Sequence, residues 1–377
     1  LKSEKLSICG NSTQAIVDVS YDVKGQRQDQ KLGCNTVTHY DYDPQTFRLT
    51  RLYTSSPNTN GHLVQDLNYT YDPVGNIIEI EDRAIDPVFF NNQKVEAKSQ
   101  YMYDALYRLT EAGGRENGLE KQAADRDLRP NLKGIFPDAD PLALRNYTQK
   151  YFYDAVGNIS FIRHNAGTGS QALRWTRQYF YHSDSNRLKR TEVGATGEDY
   201  HYDVHGSILN LGPTLADTTW RYDDMLRVVD LGNGHRAIYN YGSDKQRTRK
   251  RIERPDVKII EDRIYLEGFE LYRRSPLVGD AVEIIETHHL MNGSERVVMI
   301  ENVRDTDNTH LTKGILHRYQ YSNHLGTVGL ELDAGAQIIS YEEFHPYGTT
   351  AYQRQDPGVK CIAKRYKYTG MERDEET

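Results

Sequence analysis

Two pairs of adjacent residues have the chemistry for catalysis or metal binding. Glu342 and Glu343 could serve as a general acid and base, and His288 and His289 could hold a metal ion. Neighbouring residues of a strand point to opposite faces of a sheet, so neither pair can act together on one bond or one ion. We therefore interpret both pairs as structural or surface residues.

Other signatures of catalysis and cofactor binding are missing from the sequence. His201 and His205 flank a predicted turn, but no third ligand accompanies them, and neither HExxH nor CxxC occurs. Gly232 and Gly234 lack the third glycine of a dinucleotide-binding loop. The sequence predicts no catalytic residues, no metal site and no cofactor.

The densest basic run, residues 245–251 (KQRTRKR), could contact phosphates or an acidic polypeptide. On a strand these charges divide between two faces, which favours a solvated surface. The chain carries 47 Lys and Arg against 54 Asp and Glu, a net charge of −7, which argues against a nucleic-acid scaffold. No stretch reaches the roughly 18 apolar residues of a membrane helix. We predict neither a nucleic-acid partner nor a membrane span.

The elements that carry these residues follow from an unusual tyrosine content. The 377 residues include 28 Tyr but only 9 Phe and 2 Trp, within an ordinary hydrophobic fraction of 37%. Many of the tyrosines belong to one recurring Tyr-Asp phrase with a basic step of about 20 residues, which indicates a repeat protein. The phrase occurs at Tyr21-Asp22, Tyr42-Asp43, Tyr71-Asp72, Tyr103-Asp104, Tyr153-Asp154, Tyr202-Asp203 and Tyr222-Asp223, with degenerate copies at Tyr181-His182 and Tyr241-Gly242.

A full copy reads Tyr-Thr-Tyr-Asp-Pro-Val-Gly-Asn-Ile over residues 69–77. Its two tyrosines share one face of a strand, Asp72 suits the first position of a type I turn, and Gly75 supplies a permissive closing position. Gly157 and Gly206 stand at the equivalent place in later copies. Each unit is then a β-hairpin, which is marginal alone and must stack on its neighbours. We predict an all-β chain whose serial hairpins form a curved or spiral, shell-like antiparallel sheet with little helix.

The pattern divides the chain into three predicted parts. Residues 1–20 form a lead-in strand, residues 21–274 form the hairpin array, and residues 275–377 form a region in which the Tyr-Asp phrase gives way to other motifs. An insertion at about 116–145 interrupts the array, and its composition permits a helix near residues 119–128 before Pro130.

The last region contains three further phrases. They are Asn323-His324-Leu325-Gly326, Tyr341-Glu-Glu-Phe-His-Pro346-Tyr347-Gly348 and Tyr368-Thr-Gly-Met-Glu372-Arg373-Asp374. With the repeats they resemble the YD-repeat or Rhs family, in particular the C-terminal part of the B component of insecticidal toxin complexes with the start of the Rhs-associated core. We expect His324 and His345 to be hydrogen-bonded structural residues.

The resemblance implies a hollow β-sheet cocoon that encloses a variable C-terminal toxin and releases it when a partner opens the shell. The implied partners are the remaining parts of the shell, the enclosed toxin polypeptide and a translocation component, all of a secreted complex. In the family, a self-cleavage segment follows the core. This chain stops before that segment, so we expect a non-enzymatic fragment or a non-cleaving shell piece.

A second interpretation is an extracellular adhesion or glycan-binding module built on the same sheet. Exposed tyrosine rings on a β-surface suit stacking against sugars, whereas packed rings are structural. We favour the structural role for the tyrosine rows.

Overall fold

A computed structural model describes residues 3–8, 11–119, 140–169, 172–210 and 217–374. Strands dominate these ranges. A short 3₁₀ turn, Tyr368–Gly370, lies in the C-terminal region. The helix predicted near residues 119–128 lies outside the described residues, apart from its first position. Within the described ranges, no helix has both the length and the apolar character that crossing a bilayer requires.

The first sheet has fourteen strands, and each one is antiparallel to its neighbour. Its order follows the chain, except that the small hairpin of β8 and β9 stands apart as its own two-stranded sheet. The strands of this region are β1 (Glu4–Ile8), β2 (Asn11–Tyr21), β3 (Arg27–Leu32), β4 (Val37–Tyr42), β5 (Leu49–Ser55), β6 (Leu63–Tyr71), β7 (Ile77–Asp82), β8 (Val88–Phe90), β9 (Gln93–Val95), β10 (Lys98–Tyr103), β11 (Leu109–Asn117), β12 (Leu144–Tyr153), β13 (Ile159–Ala166), β14 (Leu173–Tyr181), β15 (Leu188–Val193) and β16 (Thr196–Asp199).

The second sheet has twelve strands in the same sequential, antiparallel order. Its strands are β17 (Thr218–Trp220), β18 (Leu226–Gly232), β19 (His235–Tyr241), β20 (Arg247–Arg254), β21 (Ile259–Leu266), β22 (Phe269–Pro276), β23 (Glu283–Asn292), β24 (Glu295–Asp305), β25 (Gly314–Ser322), β26 (Val328–Leu332), β27 (Ile338–Phe344) and β28 (Thr350–Gln355). The predicted all-β architecture of serial antiparallel hairpins is confirmed.

A bulge recurs in the return strand, just after the turn, in many hairpins. Tyr71 pairs with Ile77, whereas Thr70 pairs with Glu79, so one residue of the return strand is skipped. The same shift occurs at Tyr103 and at Tyr153. A bulge bends its strand and increases the local right-handed twist. Repeating it at each hairpin gives the sheet a regular increment of curvature.

The two sheets separate between Asp199 and Thr218, where a short link with a Tyr202–Ile208 bridge replaces the ladder. By contrast, the ladder is continuous around residue 275, because β22 pairs with both β21 and β23. The division of the chain at residue 275 therefore stays a prediction about sequence motifs, distinct from this break between sheets.

The largest apolar core lies where the two sheets meet. Ala15 and Ile16 of β2 and Leu32 of β3 pack against the second sheet, where Val298 of β24 and Leu332 of β26 are fully buried. Burying such side chains is the main force that holds packed sheets together. The first strands of the chain are thus fixed against strands almost three hundred residues later.

Candidate functional site

Each repeat turn is organised by its aspartate. The Oδ1 atom of Asp72 accepts hydrogen bonds from the backbone N–H groups of Gly75 and Asn76 at 2.7 and 2.8 Å. Gly75 has a φ of +111°, and a Cβ there would lie 2.5 Å from the guanidinium of Arg48. Gly157 and Gly206 also have positive φ, at +95° and +93°. Side-chain carboxylates accept backbone N–H bonds in the same way at Asp43, Asp104, Asp154 and Asp203.

The second tyrosine of the phrase bonds to the preceding hairpin. The hydroxyl of Tyr71 donates to the carbonyl oxygen of Leu49 at 2.6 Å, and that of Tyr153 donates to Leu109 at 2.7 Å. In each case the acceptor is the first residue of the previous return strand. Equivalent bonds join Tyr103 to Ile77, Tyr181 to Ile159 and Tyr202 to Leu188. Phenylalanine cannot make this bond, which accounts for part of the excess of tyrosine.

An arginine covers several of these rings. The Arg108 guanidinium lies 4.6 Å from the centroid of the Tyr153 ring, and the Arg187 guanidinium lies 5.9 Å from that of Tyr202. Cation–π contacts of this kind add modestly to ring burial. The Arg-Leu pair at the start of a return strand thus contacts the tyrosine of the next repeat twice. The arginine covers the ring, and the carbonyl of the leucine accepts the hydroxyl bond.

The structure differs from the sequence prediction at Tyr222 and Asp223. Trp220 ends β17 and pairs with Leu226, so it holds the position that tyrosine holds elsewhere. Its indole N–H donates to the carbonyl oxygen of Ile208 at 2.6 Å, which is the same bond to a return strand. Tyr222 is displaced into the turn and is 90% exposed. The Tyr-Asp motif therefore predicted the wrong register for this hairpin. Trp220 takes the place of the tyrosine that bonds to the preceding hairpin in other repeats.

The Asn323 phrase is a repeat turn with a changed anchor. The Oδ1 atom of Asn323 accepts bonds from the N–H groups of Leu325 and Thr327 at 2.9 and 3.2 Å, as a turn aspartate does. Gly326 takes a φ of +73°. His324 is exposed and its ring contacts Tyr69 edge-on, with centroids 5.3 Å apart.

The phrase His345-Pro346-Tyr347-Gly348 is another such turn, with histidine in the aspartate position. The N–H of Gly348 donates to the carbonyl oxygen of His345 at 2.9 Å, and Nδ1 of His345 pairs with the Thr349 hydroxyl at 3.0 Å. The carbonyl of Pro346 accepts the hydroxyl bond of Tyr368 at 2.5 Å. Because Nδ1 serves the turn, Nε2 of His345 is directed away from it.

The C-terminal segment, residues 362–374, lies across the second sheet and is held there by several buried ion pairs. Arg365 donates to Glu270 and to Glu372, each at 2.8 Å. Burial alone would raise the pKa of Glu372, but the charges of Arg365 and its neighbours outweigh it and lower the pKa to about 2. Arg373 extends the segment through its N–H bond to the carbonyl of Arg365.

Much of the basic run is engaged by this segment and by the adjacent strand. Arg247 donates to Glu372 at 2.8 Å and to Asp374 at 2.7 Å, and Lys250 donates to Asp374 at 2.9 Å. Arg249 is paired with Asp262 at 2.7 Å. The run thus forms internal ion pairs on both faces of β20, so the prediction of a simply solvated face is incomplete.

A seam joins the two sheets around Arg115, Glu116, His164, Glu343 and His345. Arg115 of β11 donates to Glu343 of β27 at 2.9 Å, and Nε2 of His345 lies 3.1 Å from Oε2 of Glu116. Beside the seam lies a cleft of about 460 Å³, lined by residues of both sheets. Sequence analysis named His345 and Glu343 but missed Glu116 and His164. One signal was available in the sequence: His345 stands at a turn position that aspartate occupies in most copies of the repeat.

Comparison with known proteins relates this arrangement to toxin subunits. No protein-family profile matches the chain. It is 32% identical to the toxin subunit YenC1 of Yersinia entomophaga over 390 residues, and 31% identical to YenC2 of the same organism. Each match covers 99% of this chain but only 39% of the relative. The probable deoxyribonuclease RhsA of Dickeya dadantii is 24% identical over 45% of this chain.

The fold also matches a solved toxin structure. The crystal structure of TcdB2-TccC3 without its hypervariable C-terminal region superposes with a TM-score of 0.85 at 29% identity, over 100% of this chain and 18% of that one. The relationship to YD-repeat and Rhs toxin-complex proteins that the sequence predicted is confirmed.

Proposed function

We propose, on the premise that the chain is related to toxin-complex and Rhs proteins, that it is a non-enzymatic wall segment of a toxin-delivery protein. The segment encloses and protects a C-terminal toxin polypeptide. The observation that carries the proposal is the superposition of 100% of this chain on TcdB2-TccC3 with a TM-score of 0.85. The wall role also agrees with the construction of both sheets from serial hairpins, which extend a surface by adding one unit at a time.

The chemistry of the segment supports a container better than an enzyme. The buried carboxylates near the C-terminal end are held in ion pairs, as when Glu342 binds Lys364 at 2.8 Å and Lys367 at 3.1 Å. Carboxylates paired in this way are poorly available for proton transfer, and loss of one partner would leave a buried charge uncompensated. The partners of such a segment are the remaining shell, the enclosed toxin and a translocation component, in an extracellular complex.

Protease protection tests this function directly. A polypeptide with many protease sites is joined after residue 377, and the protein is produced together with the remaining shell components. We expect the joined polypeptide to survive protease treatment that digests the same polypeptide joined before residue 1. Equal digestion of the two fusions, or images that place the polypeptide outside the shell, would refute encapsulation.

A glycan-binding surface has less support. Most tyrosines of the repeat phrase are half-buried, and several donate their hydroxyls to neighbouring strands, as Tyr71 and Tyr153 do. Rings that stack on sugars need an open face. Glycan binding that disappears when exposed Tyr222 or Tyr347 is changed to alanine would restore this alternative.

A further inference from the structure

Three buried side chains converge on one point of the seam. Glu116 on β11 and His164 on β13 belong to the first sheet, and His345 follows β27 of the second. Their exposed fractions are 5%, 1% and 4%. Oε2 of Glu116 lies 3.1 Å from Nε2 of His345 and 3.2 Å from Nε2 of His164, and all three donor atoms lie within 4.8 Å of one another.

This donor set and spacing fit a transition-metal ion. Imidazole nitrogen and carboxylate oxygen bind Zn²⁺ at about 2.0–2.2 Å, which places tetrahedral ligand atoms about 3.4 Å apart. Two of the three spacings already approach that value. We propose that Glu116, His164 and His345 form a binding site for a zinc-class divalent cation that links the two sheets.

The hydrogen-bond geometry of His164 is poor in this cluster. Its buried Nε2 lies 3.2 Å from Oε2 of Glu116, but this contact does not have the angles of a well-formed hydrogen bond. Buried polar atoms of native proteins nearly always have a well-placed partner. A cation at the point where the three donors meet would give this nitrogen one.

The surrounding groups orient the three ligands. Arg145 donates to Oε1 of Glu116 at 2.8 Å and leaves Oε2 to the cluster. Nδ1 of His345 pairs with Thr349 at 3.0 Å, and Nδ1 of His164 lies 3.2 Å from the Gln149 amide. Contacts at the second ring nitrogen fix the orientation of metal-binding histidines.

The Gln149 amide can serve either state of His164. As oriented, its oxygen accepts from the Tyr151 hydroxyl at 2.5 Å and its nitrogen faces Nδ1. Turned by 180°, the amide accepts from Nδ1–H and donates to Tyr151, and the Nε2 lone pair then faces Glu116. Amide orientations of this kind are interchangeable on structural grounds.

Aromatic rings enclose the point where the donors meet. Tyr147 lies against both imidazoles, with ring centroids 5.7 Å from His164 and 4.6 Å from His345, and Trp175 stacks on His164 at 4.8 Å. A dry shell strengthens ligation. Because one ligand comes from the second sheet, metal binding would stabilise the contact between the sheets.

The test uses the full chain after treatment with a chelator. We expect one equivalent of Zn²⁺ to bind in calorimetry, Co²⁺ to give the visible absorption of a low-coordinate site, and Zn²⁺ to raise the Tm. H345Q and H164Q should bind at least 100-fold more weakly. The control H205A alters an exposed histidine 3.2 Å from Asp224 and should bind as the wild type does.

Each outcome bears on the proposal. A wild-type chain that binds neither ion and shows no rise in Tm overturns it, as does H345Q that retains the full stoichiometry. If H345Q and H164Q do not fold, the Co²⁺ spectrum and the Zn²⁺ stoichiometry of the wild-type chain and of H205A decide the matter.

Discussion

The first and second sheets share one turn design but are held together differently. In the first sheet, hydroxyl bonds such as Tyr153 to Leu109 join each hairpin to the one before it, and ion pairs such as Arg190–Asp199 are largely exposed. In the second sheet, Arg365 reaches Glu270, 95 residues away, in a buried network. Where the first sheet does not contact the second, it thus depends on local contacts, whereas the second sheet also depends on long-range charges.

The largest difference between the sheets should follow from removing a buried cation. Arg365→Met leaves Glu270 and Glu372 without their main partner, and breaking a buried pair in this way costs about 3–5 kcal/mol. Chemical denaturation should show this loss in the free energy of unfolding, and hydrogen exchange should locate it in the second sheet.

The matched change in the first sheet is Arg190→Met, which removes an exposed pair with Asp199. Exposed pairs are screened by solvent and contribute little, so this variant should unfold close to the wild type. If both variants lost similar stability, the contrast between local and long-range stabilisation would be wrong.

Acid should weaken the second sheet through Glu372. Its folded pKa of about 2 lies below the ordinary value of 4.5, so its stabilising effect is present above pH 4.5 and is lost as the pH falls towards 2. The shift corresponds to on the order of 3 kcal/mol. E372Q should be less stable than wild type at pH 7 but should lose less stability between pH 5 and 2.5. Parallel pH profiles for the two proteins would contradict this assignment.

A single hydroxyl in the first sheet should have a smaller effect than either buried charge of the second sheet. Tyr153→Phe removes the bond to Leu109 while keeping the ring, and should cost about 1 kcal/mol. Tyr222→Phe is the control, because this tyrosine is exposed and lies outside the hydroxyl pattern, so its change should stay within about 0.5 kcal/mol. Equal losses in thermal or chemical unfolding would remove the explanation for the tyrosine excess.

Local sequence was sufficient to predict the hairpins. The turn at Asp72 and Gly75 depends on residues within four positions of each other, so the local sequence is enough to predict its conformation. The prediction failed at Tyr222 because Trp220 makes the equivalent bond with an indole N–H, and only strand pairing reveals that equivalence. The insertion also separates Glu116 from β12 in the sequence. The ion pair of Glu116 with Arg145 could therefore not be predicted from the sequence.

The sequence by itself determined an all-β chain of stacked hairpins, because alternation, turn chemistry and tyrosine spacing act over a few residues. Only the tertiary structure decided that His345, His164 and Glu116 meet, and that the C-terminal segment is neutralised by Glu270. Those contacts join positions 48 to 229 residues apart, and the contact of His345 with Glu116 joins the two sheets. The relative placement of the sheets follows from packing of the whole chain, not from any local pattern.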